Sequence, residues 1–269
     1  MEYLGYIAAI FIGISLGLVG AGGSILTIPV LVYLIGIPAV SATSYSLFIV
    51  GVSAFIGVLR YVKHGLVCFR TVLVFGLPSV FSIFLTRKYL LHAIPANLGM
   101  IGNVEVTKDG LLMILLAILM IAASYSMLRK TPSVRIDREK DNREYRYFLI
   151  FQQGIIVGAL VGMVGAGGGF LIIPALVMLA KLPMKRAIGT SLAIIALNST
   201  IGFLSDFGVH RFDWDFILLF TGFAITGIII GSYASRYISG VKLKPAFGWF
   251  VLVMGIYIIT KELFLGGRV

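Results

Sequence analysis

Charged side chains are scarce in this sequence, at 12% of its 269 residues, where soluble domains carry about 25%. Acidic residues are rarer still, 11 against 22 Lys and Arg, and there is one cysteine, Cys68. A single thiol excludes an intrachain disulfide and cannot alone hold a metal or run dithiol chemistry. It reads as a small buried hydrophobe. His64, His92 and His210 fall between the apolar runs and read as solvated loop residues. No Gly-x-x-x-x-Gly-Lys-Ser/Thr phosphate loop occurs, so ATP is not expected to be used by this chain. No Asp or Glu falls in the interior of an apolar run; Asp206, Asp213 and Asp215 sit in or at the edges of one connecting loop, and Glu262 near the end of the last run. A buried carboxylate relay is therefore not expected. A membrane enzyme, which needs positioned His, Cys or carboxylate groups, is not expected either, and no cofactor is implied.

What the chain has in abundance is apolar surface: 59% of its residues are hydrophobic and the mean hydropathy is +1.04. These values predict an all-α polytopic membrane protein. Met-Glu-Tyr at the start lacks the basic region of a signal peptide, so the first apolar stretch is expected to be retained. The net charge of +11 resides in the connections between apolar runs, as the positive-inside rule expects. It gives no reason to propose nucleic-acid binding.

Apolar runs cover roughly 3–19, 24–36, 40–59, 68–86 and 110–128, then 147–164, 169–180, 187–205, 214–235 and 245–264. Setting Gly17 against Gly162 also sets Pro29 against Pro174, Pro38 against Pro183, Ser46 against Ser191 and Gly57 against Gly202, without a gap. The simplest explanation is an internal duplication: residues 1–128 and 147–269 are two transmembrane repeats joined by a charged linker, 129–146. That linker carries Arg129, Lys130, Arg135, Arg138, Lys140, Arg143 and Arg146, which predicts that it is cytoplasmic. Crossing the membrane at every run, with each Gly-broken pair counted as one down-and-back excursion, then puts Arg60, Lys63, Arg70, Lys181, Lys185, Arg186, Arg236, Lys242 and Lys244 inside. It puts the loop 87–109 outside, although Arg87, Lys88 and Lys108 lie there. The two repeats acquire opposite orientation, which is the organisation of many secondary transporters.

Two glycine clusters interrupt the apolar runs. Gly17-Leu-Val-Gly20-Ala-Gly22-Gly23-Ser24 is matched by Gly162-Met-Val-Gly165-Ala-Gly167-Gly168-Gly169. The arms that follow, 24–36 and 169–180, reach only about 18–20 Å against a hydrocarbon core of ~30 Å. They read as second arms of helical hairpins. The fold expected is thus two inverted repeats, each a Gly-broken hairpin plus three transmembrane helices. Gly13 with Gly17, and Gly158 with Gly162, fit close helix packing. The inner glycines do not share one helix face. They leave backbone N–H groups at the positive end of a short helix inside the bilayer, a place that favours an anion. Gly20, Gly22, Gly23, Ser24, Gly165, Gly167, Gly168 and Gly169 are accordingly the primary substrate-binding candidates. Ser44, Ser46, Thr190, Ser191 and Asn198 are added because hydroxyls and amides donate to an anion without a buried cation. Each could instead bond to a helix carbonyl. Pro29 and Pro174 either kink the second arms or mark their first turns.

The duplicated Gly-x-x-Gly-Ala-Gly-Gly followed by Leu26-Thr-Ile-Pro29 or Leu171-Ile-Ile-Pro174, with Gly189-Thr-Ser-Leu192 beyond, resembles the TauE/SafE sulfite-exporter family of membrane permeases. Ser44-Tyr45-Ser46-Leu47 departs from the Gly-Thr-Ser-Leu form in the first half. The resemblance implies a prokaryotic plasma-membrane permease for sulfite, sulfonates, sulfoacetate or related anions. It implies no one substrate and no direction. Coupling to H+ or Na+, cotransport of a protonated substrate and facilitated diffusion through an anion channel all remain open.

Overall fold

The computed structural model describes residues 2–20, 22–95, 97–101, 104–128, 143–207, 212–235 and 240–264. Helix α1 (Glu2–Val19) ends at the first glycine cluster, and α2 (Gly22–Pro29) leads away from it. Beyond Pro29 the chain widens into a π-helical segment, Val30–Ile35, capped by left-handed Gly36. A proline inside a helix lacks the N–H for the i−4 carbonyl and crowds it, and such irregular turns absorb the mismatch. Pro29 and Pro174 both lie inside the second arms. The first half continues with α3 (Ala39–Lys63), α4 (Phe69–Leu85), a π-helical segment Thr86–Leu90 and the short α5 (Leu91–Ala93). Strands β1 (Asn97–Ile101) and β2 (Val104–Thr107) then pair antiparallel before α6 (Lys108–Leu128). The second half repeats the helical order: α7 (Arg143–Val164), α8 (Gly169–Met178), α9 (Met184–Asp206), α10 (Trp214–Ala234) and α11 (Gly240–Phe264).

Six of these helices are long and apolar enough to cross a bilayer, counting α4 with its π-helical extension. Phe11, Phe55, Leu77, Phe81 and Leu218 are among many large apolar side chains left on the surface. In a chain of this hydropathy such a surface faces lipid rather than water. The protein is an integral membrane protein.

The first cluster does fold the chain back on itself. A Cβ on Gly23 would lie 2.1 Å from the Ile12 carbonyl oxygen, and Ile35 at the far end of the second arm lies against Gly5. Chain segments 2–19 and 22–35 therefore run antiparallel as a hairpin. Packing between halves is reciprocal: α1 lies on α10 as α4 lies on α7, while α3 pairs with α9 and α6 with α11. Helix α3 runs antiparallel to α9, with Tyr61 against Gly189 at one end, Gly51 against Ser199 in the middle and Ser44 reaching Asp206 at the other. Helices α6 and α11 also run antiparallel, with Gly110 near Glu262 and Ser124 bonded to the Gly248 carbonyl.

Small residues permit the closest crossings. A Cβ on Gly13 would sit 2.1 Å from the Ala224 carbonyl oxygen, and one on Gly158 would sit 2.4 Å from that of Ser79. The packing expected for these outer glycines is what the fold uses them for.

Three expectations are corrected. Arg87 and Asp206, read as loop residues, are 0% and 2% exposed and form an ion pair, so an acidic group does lie within the helical interior. Arg87 is also one of the three cations, with Lys88 and Lys108, at odds with placing loop 87–109 outside; paired internally, it does not act as a free loop charge. Cys68 is half-buried at the start of α4, where Thr71 Oγ1 approaches its Sγ at 3.2 Å. Of the histidines, His64 caps α3 and is exposed, His92 falls in α5, and His210 lies outside the described residues. So does most of the linker, 129–142.

Candidate functional site

Each glycine turn is pressed against the polar helix of the opposite half. Gly20 has φ +75° and Gly165 φ +74°, a left-handed backbone that side-chain-bearing residues adopt only at a cost. A Cβ on Gly20 would meet Ile188 Cγ2 at 2.6 Å, and one on Gly165 would meet Thr43 Cβ at 2.4 Å. Ile188 and Thr43 are equivalent positions of the two repeats, so the two turns make the same contact on α9 and on α3. The second turn then reaches the middle of both α3 and α9, where a Cβ on Gly167 would lie 2.9 Å from Val50 Cγ1 of α3 and 3.1 Å from Ser199 Oγ of α9. Gly168 is the N-cap of α8 and supplies no side-chain cap; its carbonyl accepts from Leu171 and Ile172, so the N–H groups of Gly169 and Phe170 precede the first bonds of the helix. In the first half α2 begins at Gly22, and Gly23 and Ser24 are buried behind it.

The polar candidates divide into two groups. Thr190 Oγ1 accepts from the Cys68 N–H at 3.0 Å and so fixes the start of α4. Ser191 Oγ donates to the Ile188 carbonyl at 2.8 Å and lies 3.4 Å from the Gly20 carbonyl, which ties it to the first turn. Ser44 bonds to both Asp206 and Arg87. The others keep unused capacity. Asn198 Nδ2 donates to Ser79 Oγ at 2.8 Å while its Oδ1 has no protein partner, and Ser46 Oγ, Ser53 Oγ and Ser199 Oγ are likewise buried without one. Buried polar groups are rarely left so. Ser53 and Asn198 are equivalent positions of the two repeats, and both lie near the level at which Gly51 meets Ser199.

The sequence matches the sulfite exporter TauE/SafE family over residues 5–258. The chain belongs to this family. Its relatives include a "probable membrane transporter protein" of Xylella fastidiosa, 30% identical over 260 residues that cover 93% of this chain and 92% of that one. Another, from Methanocaldococcus jannaschii, is 33% identical over 205 residues, 74% of this chain and 70% of the relative. A third, from Bacillus subtilis, is 24% identical over 284 residues, 97% of this chain and the full length of the relative. No solved structure matches. The family match spans both glycine turns and both polar helices, so the whole described site lies inside the region shared with membrane transporters.

Sequence reasoning missed Arg87 and Asp206. Arg87 Nε donates to both Asp206 carboxylate oxygens at 2.9 Å, Nη1 donates to the Gly162 carbonyl at 3.0 Å, and Nη2 donates to Thr43 Oγ1 and Ser44 Oγ, each at 3.1 Å. Both residues stand at the edge of an apolar run, where charge normally marks a loop. A signal was nonetheless present: the repeat alignment sets Asp206 against Tyr61 and Arg87 against Ser232, so the halves differ in charge at both places.

Proposed function

We propose that this protein is a secondary transporter for a small organosulfur or related oxyanion, of the sulfite, sulfonate or sulfoacetate type. Its two halves act as inverted repeats, and the anion binds between the glycine turns, among the N-termini of α2 and α8, the unpartnered hydroxyls of Ser46, Ser53 and Ser199, and the amide N–H groups of Asn198. The observation that carries this reading is the approach of Gly167 to Ser199 Oγ, a buried hydroxyl without a protein partner at the foot of a short helix. Backbone N–H groups, a helix dipole and neutral donors together favour an anion with several acceptor oxygens. The antiparallel crossing of the equivalent helices α3 and α9 supports the inverted arrangement, which in turn suits alternating access. The bacterial and archaeal relatives support a prokaryotic plasma membrane location, and the seven Lys and Arg of linker 129–146 support its cytoplasmic side.

An anion channel would share the same dipole-lined site but needs a continuous pore. Both turns are seated on helices of the opposite half, which favours gated access. The test is a thermal-stabilisation screen of the purified protein against sulfite, thiosulfate, sulfonates and short carboxylates, followed by uptake into proteoliposomes. Stabilisation by oxyanions and accumulation against a gradient are expected. Uptake that only ever equilibrates would establish the channel instead, and no stabilisation by any of these anions would remove the site.

A further inference from the structure

The two halves close their hairpins in different ways. Gly17 and Gly162 are equivalent, each three residues before its turn. The Gly17 carbonyl accepts from Tyr61 Oη at 3.2 Å, and Tyr61 Oη also lies 3.3 Å from Ser235 Oγ. The Gly162 carbonyl accepts instead from Arg87, which is bound to Asp206. By the repeat alignment Tyr61 stands where Asp206 stands, and Ser232 where Arg87 stands. The first junction is therefore closed by a phenol, with Arg60 Nη1 of α3 reaching Ser232 Oγ at 3.4 Å and no acidic side chain among the described residues bonded there, and the second by a buried ion pair. The architecture does not require a carboxylate at this place, and a buried ion pair is weak as a device for stability. Arg87 and Asp206 also bridge parts that would have to separate for the second hairpin to move: the π-helical segment after α4, the end of α9, the start of α3 and the last turn of α7. Thr43, on which Gly165 rests, accepts from Arg87 directly. The guanidinium is thus one side chain away from the second glycine turn.

We propose that Asp206 is a proton-binding site that couples anion movement to the proton gradient, with Arg87 changing its counter-ion from the Asp206 carboxylate to the transported anion. This rests on the anion-transport reading above. When Asp206 is ionised, the junction is neutral and closed. One proton taken from water onto a carboxylate oxygen of Asp206 leaves the guanidinium positive in a low-dielectric interior, a state that a bound anion neutralises. Proton and anion therefore stabilise each other's binding and leave together: the proton returns to water on the other side, and Asp206 re-pairs with Arg87. Among the described residues, the other charged or titratable groups at this end of the surrounding elements are Tyr45 of α3, Tyr89 of the π-helical segment, Lys108 and Asp109 at the start of α6, and Asp213 and Asp215 at the start of α10. Arg60, Tyr61 and Lys63 of α3 and Lys185 and Arg186 of α9 lie at the opposite ends of their helices. Exposed Lys88 follows Arg87. Lys108 donates to the Leu91 carbonyl, Asp109 accepts from Val40, Asp213 caps α10, and Tyr45 accepts from the Asp213 N–H. Helices α7 and α8 offer no titratable side chain at this junction.

The test uses thiosulfate and methanesulfonate, which stay ionised through the neutral and mildly acidic range, so that any pH effect belongs to the protein. Their dissociation constants for the full-length protein are measured by thermal shift across pH. One linked proton makes the affinity of the wild type rise by up to about tenfold per unit fall in pH. Asp206→Asn is expected to bind without that slope. The double variant Arg87→Ser with Asp206→Tyr, which places the side chains of Ser232 and Tyr61 at the second junction, is expected to fold and to lose accumulation driven by an inward proton gradient in proteoliposomes. A wild-type affinity that is flat wherever the protein stays folded overturns the coupling while leaving the anion site standing. So does a slope that survives in Asp206→Asn, or gradient-driven accumulation by the double variant. Failure of both anions to bind the wild type overturns the anion reading and the coupling with it.

Discussion

Thr43 of the first half supports Gly165 of the second: a Cβ on Gly165 would lie 2.4 Å from Thr43 Cβ and 2.8 Å from the Thr43 carbonyl oxygen. This contact seats the turn of one repeat on the polar helix of the other, and Gly20 on Ile188 repeats it. A substrate held at either turn would therefore touch both halves, so that their relative movement and its release become one event.

Gly165→Ala faces both a left-handed backbone at φ +74° and this contact. Strain of ~1–2 kcal/mol and overpacking of ~1–3 kcal/mol are expected to lower the melting temperature clearly and to abolish uptake. Gly36→Ala is the control, since it has φ +84° but nothing within 4 Å. It is expected to cost only the backbone term of ~1–2 kcal/mol and to keep transport.

Gly13→Ala and Gly227→Ala both push α1 away from α10, the first toward the Ala224 carbonyl at 2.1 Å and the second toward the Ile10 carbonyl at 2.2 Å. Once either has separated the backbones the second adds little. The double variant should lose less stability than the two single losses predict, a coupling of ~0.5–3 kcal/mol in a double-mutant cycle on the unfolding transition.

Asn198→Ala removes a side chain with one bond to Ser79 and an unused carbonyl oxygen. Its amide N–H groups are the donors able to turn to an anion, and a hydrogen bond to a charged group contributes ~1.5–3 kcal/mol. Thiosulfate affinity is expected to fall by about tenfold or more. Ser79→Ala should change it less, and equal losses in both variants would assign the pair to packing.

Tyr33 on the π-helical part of the first hairpin donates to Glu262 at 3.0 Å, while Lys261 Nζ stands 4.0 Å from the centre of its ring. Tyr33→Phe leaves the nearly buried Glu262 carboxylate without that donor and should destabilise the protein by ~1–3 kcal/mol. Tyr33→Phe combined with Glu262→Leu should recover part of the loss, as read from melting temperatures.

The helices and their interruptions were legible because their causes are local. Apolar runs of membrane length become helices, and glycines too close together to share a helix face break them, so 184–206 and 214–234 form where hydropathy places them. The paired glycine motif was legible too, since Gly17 and Gly162 keep the same spacing to Pro29 and Pro174, Pro38 and Pro183, and Gly57 and Gly202. The ion pair was not. Arg87 and Asp206 are 119 residues apart, and each alone looks like charge at the end of a span. The strand pair β1–β2 was not legible either, because it lies in a connection without an apolar pattern.

The glycine turns show the same division. Sequence alone determined that the helix must break near Gly20 and at 165–168, because propensity and steric freedom act within a few residues. What lies opposite those turns was decided by tertiary structure, through the antiparallel packing of α3 on α9 that brings Thr43 to Gly165 and Ile188 to Gly20. The same packing turned two edge charges into a buried pair. Opposite charges find each other inside a protein only when distant elements converge, and no short-range pattern records that convergence.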